Sequence, residues 1–126
     1  MTGAWKRFAD AKAEMPNPRK DTSAFSYQYA TLDQVRAIVA PALHKHGLMD
    51  VQRMLSGELH TTIVDLESGE TLVSDVRPTL QKGTDQQRGS SETYQRRYAL
   101  LTVCGLAPVD DDGAAASNRQ PVEVQR

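Results

Sequence analysis

The chain has a single cysteine, Cys104, in its most apolar stretch, which excludes an intramolecular disulfide framework and a cysteine-rich metal site. It reads as a buried small hydrophobe. No apolar run approaches the roughly 18 residues that a membrane-crossing helix needs, and the N-terminus lacks the charged-then-apolar pattern of a signal peptide. The expected compartment is a reducing cytoplasm with no membrane partner. Charge excess is also missing: the formal net charge is -1, so any affinity for polyanions has to come from local segregation of charge. Catalytic signatures are equally scarce. Gly83 to Gly89 lacks the glycine-lysine-serine/threonine ending of a phosphate loop, and no serine, histidine and acid fall into a triad. The carboxylates give no paired acid/base signal. His44 and His46, two apart, point to different faces of a helix and do not make a metal pair. The expectations are no catalytic residue, no metal and no cofactor, hence no enzyme.

What remains is enough for one compact domain with tails: 126 residues, 39% of them hydrophobic. Residues 2 to 14 have helical spacing, with Trp5, Phe8 and Ala9 on one face, and Pro16-Asn17-Pro18 stops the helix. Cut off by prolines, residues 1–18 read as an N-terminal arm that serves assembly more than protomer folding. Phe25, Tyr27 and Tyr29 then alternate with polar residues as in a short strand. Two uses stand open for these rings, closing the core or stacking on nucleic-acid bases. Thr31-Leu32-Asp33-Gln34 is a capping box opening a helix whose apolar positions run from Leu32 to Leu43. Pro41 predicts a kink or break near residue 40, and Gly47 can end the helix.

From Leu48 to Arg77 the texture changes to three short runs, Leu48 to Leu55, Glu58 to Leu66 and Thr71 to Val76, separated by turn residues. Short loops force antiparallel neighbours, so the expectation is a three-stranded meander. Leu59 with Ile63, and Leu72 with Val76, mark its inner faces. Pro78 to Arg88 has no apolar period after Leu80 and reads as a mobile loop. Past Leu106 the composition cannot bury a core, so residues 110–126 are expected to be disordered and dispensable for folding.

Gly89 to Gly105 is the most informative stretch, a candidate helix in which Tyr94, Tyr98 and Leu101 share an arc with Arg97 in its middle and Arg96 pointing elsewhere. For Arg97 two readings stand side by side. One is a snorkelling or ion-paired side chain, the other a phosphate contact shared with its neighbour. Local charge agrees with the second: from Arg77 to Arg97 five basic residues stand against two acidic ones, while Asp110, Asp111 and Asp112 form an acidic block beyond the helix.

Four stretches in one order resemble the ERF family of phage and prophage single-strand-annealing recombination proteins. They are Tyr27-Gln28-Tyr29-Ala30-Thr31-Leu32-Asp33-Gln34-Val35, Pro41 to Leu48, Thr93 to Leu101, and Asp110-Asp111-Asp112-Gly113. The resemblance runs from about Phe25 to Gly113. It implies ATP-independent binding of single-stranded DNA and annealing of complementary strands, in rings or filaments, inside a bacterial host cell. A host single-strand-binding protein is a further candidate partner. A distant similarity to the eukaryotic annealing mediator implies an α+β fold, a three-stranded antiparallel meander packed against a long C-terminal helix and a preceding kinked helix, with DNA in a groove between them. The implied domain spans residues 24–108, followed by a tail at 109–126. The expected DNA-binding residues are Arg96, Arg97, Arg88, Lys82, Arg77, Tyr98 and Tyr27. A passive single-strand binder and a protein-interaction module are the alternatives.

Overall fold

Two threonines set the helical frame. In a computed structural model describing residues 3–20, 22–24 and 27–110, Thr31 and Thr84 each accept a hydrogen bond from the backbone N–H three residues on. Gln34 and Gln87 each return a side-chain bond to the cap backbone, and two capping boxes result. The elements are α1 (Gly3–Ala13), β1 (Arg19–Lys20), β2 (Thr22–Ala24), β3 (Tyr27–Tyr29), α2 (Leu32–Lys45), β4 (Leu48–Leu55), β5 (Glu58–Asp65), β6 (Thr71–Pro78), α3 (Asp85–Cys104) and β7 (Val109–Asp110). The architecture is α+β, with the antiparallel meander β4-β5-β6 packed against α2 and the C-terminal α3.

The second capping box was not expected. It starts α3 at Asp85, so Asp85 to Arg88 are helix, not loop. At its other end Gly105 takes the left-handed conformation (φ 65°), and Leu106 N–H donates to Leu101 O at 2.8 Å. α2 runs unbroken through Pro41, so the expected break does not occur. Pro41 and Ala37, whose carbonyl loses its helical donor, are both on the solvent side, where water can replace that bond.

The meander closes at Ser56-Gly57, both at positive φ as a two-residue hairpin turn of this hand requires. Along β5, alternate residues Leu59, Thr61, Ile63 and Asp65 are buried. On β6 the expected inner pair is only half right. Leu72 packs against the core, but Val76 is exposed and Val73 lies opposite Ile63. A register shift between Ile63 and Val64 changes which β6 residues face inward, something alternation alone cannot register.

The N-terminal helix also differs from expectation. Phe8, Ala11 and Met15 belong to the hydrophobic core with Val35, Val39, Leu43 and Leu100, and Pro18 is fully buried. Prolines end the helix without detaching it. Arg7 fastens it further, donating to His46 O at 3.0 Å, Gly47 O at 3.2 Å and Asp65 Oδ1 at 2.9 Å. Beyond Pro108, Val109 and Asp110 pair in parallel with Arg19 and Lys20, so Asp110 is not part of a disordered tail. Residues 111–126 of the expected tail lie outside the described residues. Among the described residues, no helix is long and apolar enough to cross a membrane.

Asp65 gives this anchor a pH dependence. The Arg7 hydrogen bond, with donors from Glu67 N–H (3.1 Å) and Ser68 Oγ (2.9 Å), holds its carboxyl below the usual carboxylate range. A depressed folded-state pKa contributes stability above the unfolded value and loses it as pH falls through the folded value. Thermal melts of the wild type are expected to lose Tm progressively below about pH 4. Asp65→Asn should start lower at pH 7 and show a shallower acid decline; equal declines in both would remove Asp65 from the anchor.

Candidate nucleic-acid interface

The first half of α3 stands away from the body, with residues 81–90 all exposed, whereas its second half is core from Ala99 to Leu101 and at Val103 and Cys104. Burial pushes the Cys104 thiol up to about 12, so it stays protonated and inert. Arg97 sits where the helix passes from surface to core.

A groove of about 810 Å³ runs between this half of α3 and the first turn of α2. Thr31, Leu32 and Asp33 line one wall, Gln86, Gly89, Ser90, Thr93 and Tyr94 the other, with Tyr29 and Arg97 between them. Arg97 is 9% exposed, and its guanidinium lies 4.8 Å from the Tyr29 ring centroid, 5.4 Å from Tyr94 and 5.2 Å from Tyr98. Among the described residues no hydrogen bond or ion pair joins it, and its surroundings are three π faces. Among the described residues, none supplies the acid that the ion-paired reading expects.

Arg96 points to the sheet, as the roughly 100° step of a helix requires. Its Nε donates to Gln52 Oε1 at 3.2 Å, and Gln52 Nε2 donates to Arg96 O and to Thr61 Oγ1, each at 3.0 Å. Arg96 therefore ties α3 to β4. Arg77 is likewise engaged, with Asp75 at 2.9 Å and Thr102 Oγ1 at 2.8 Å. Arg88 pairs with Asp85 in the exposed first turn of α3. Lys82 is exposed on a second, more apolar groove lined by Leu80, Gln87, Ser91 and Tyr94.

Of the expected site residues, the structure thus joins Arg97 to Tyr98 and leaves Arg77, Arg88 and Arg96 with protein partners of their own. Tyr27 contributes backbone to β3, and its side chain lies outside what is described. Tyr29 and Tyr94 were missing from the expected set. The spacing of Tyr94, Arg97 and Tyr98 was the available signal for one of them, since residues three and four apart meet on a helix. Tyr29 reaches the cage across the fold, and no local pattern reports that.

A family profile described as the ERF superfamily matches residues 5–125. No curated protein and no solved structure matches the chain. With a match of this extent, the chain belongs to the ERF superfamily, and its class is that of phage-type single-strand-annealing recombination proteins.

Proposed function

We propose that this ERF-superfamily chain holds single-stranded DNA in the groove between α2 and α3 and anneals complementary strands without ATP, as a ring or filament of identical copies. The observation that carries the reading is Arg97, nine-tenths buried, surrounded by tyrosine rings and, among the described residues, without a carboxylate. Burying an unpaired guanidinium is costly, and native proteins rarely leave its donors without acceptors. Ring faces offset part of that cost while leaving the planar fork of donors open to a phosphate. A backbone contact of this kind is indifferent to sequence, as annealing of arbitrary strands demands.

Lys82, just before α3, and Arg88, in its exposed first turn, extend the path for the strand, and Tyr27, two residues before Tyr29 in β3, is a further contact of this reading. Arg77 and Arg96 act mainly through the helix-sheet contact. The strand-binding unit spans residues 24–108 with α1 packed into it. Assembly is supported by the sheet face turned away from the helices, where Met49, Leu55 and Val76 are exposed. A protomer of near-zero net charge gains affinity when a ring repeats the same groove.

Fluorescence-monitored annealing of complementary oligonucleotides without nucleotide tests the proposal. The protein is expected to raise the annealing rate at substoichiometric coverage, in a particle much larger than the 13.9 kDa protomer. Slower annealing with tight binding would make it a passive binder, and no binding would leave a protein-interaction module.

A further inference from the structure

We infer that Tyr94 and Tyr98 form a stacking platform for the bases of an unpaired strand. The inference deepens the function proposed above and rests on it. The two rings stand one helical turn apart on α3, with centroids 4.6 Å apart and planes inclined by 42°. Both are large and largely apolar, yet 49% and 38% exposed, and Tyr94 lines the groove. Arg97 contacts both rings, which limits their rotamers before any ligand arrives and lowers the entropy lost on stacking. Phosphate contact and base contact therefore lie side by side on one helix face.

Stacking uses the π face of a base and leaves its pairing edge free, so bases held here stay open to a complementary strand. In a duplex those faces are already occupied by neighbouring base pairs. If the rings served only to shield Arg97, affinity would depend on phosphates alone.

The test compares an oligodeoxythymidine with an abasic strand of equal length, by anisotropy at one salt concentration, using the whole chain. Wild type is expected to bind the thymidine strand about tenfold more tightly. Tyr94→Leu/Tyr98→Leu should lose that preference, and Tyr94→Phe/Tyr98→Phe should keep it, with thermal melts confirming that each variant folds. Equal wild-type affinity for both strands overturns the platform while leaving strand binding intact, as does a preference retained by the leucine variant. Failure to bind either strand overturns the underlying single-strand reading as well.

Discussion

Arg97→Ala is expected to lower single-strand affinity by about 10- to 100-fold, the loss that a charge-assisted phosphate contact of roughly 1.5–3 kcal/mol predicts. The slope of log affinity against log salt should flatten by about 0.7 per protomer contact removed. Folding stability should change much less. Truncation loses three ring contacts and a packed stem, but also removes a desolvated cation, and these effects oppose one another. Arg97→Lys keeps the charge without the planar fork and should fall between the two. Arg96→Ala is the contrasting variant. Its loss breaks the bond to Gln52, costing about 1 kcal/mol of stability, with a smaller effect on the salt slope. Binding titrations at two salt concentrations and thermal melts on the same preparations separate the pair. If Arg96→Ala proved the more damaging to binding, the strand would run along the sheet side of α3.

The second large effect is at the N-terminus. Phe8→Ala should destabilise the protomer by about 3–5 kcal/mol, because the ring is 5% exposed in the shared core and its removal leaves a cavity. A Tm reduction of more than about 10 °C follows for a chain of this size. Deleting residues 1–18 would remove Phe8, Ala11, Met15 and Pro18 together and is expected to leave no cooperative melt. A truncated chain that still melts near the wild-type temperature would return α1 to the role of an assembly arm.

The contrast between the buried Phe8 and the expectation of an assembly arm shows where a linear pattern stops being informative. Amphipathic spacing located the helix and its end, but helical spacing cannot say whether the partner is the same chain or another. The meander was legible because short turns leave adjacent strands few alternatives, whereas the face of Val76 depended on a bulge invisible to alternation. The start of α3 was missed for a different reason. Asp85 to Ser90 is exposed all round, so no apolar period marks it, even though Thr84 and Gln87 repeat the cap read correctly at Thr31 and Gln34. At the site, one helix carried Tyr94, Arg97 and Tyr98 in plain view. Their meaning depended on the lack of a carboxylate around Arg97 among the described residues and on Tyr29 arriving from β3, both facts of tertiary structure.

Photocrosslinking locates the strand directly. A single-stranded oligonucleotide carrying 5-iododeoxyuridine, bound to the intact protein, irradiated and mapped by peptide mass spectrometry, is expected to mark the α3 segment bearing Tyr94 and Tyr98. Adducts concentrated instead on the outer sheet face, around Met49, Leu55 and Val76, would contradict the placement of DNA between α2 and α3 and assign that face to the strand.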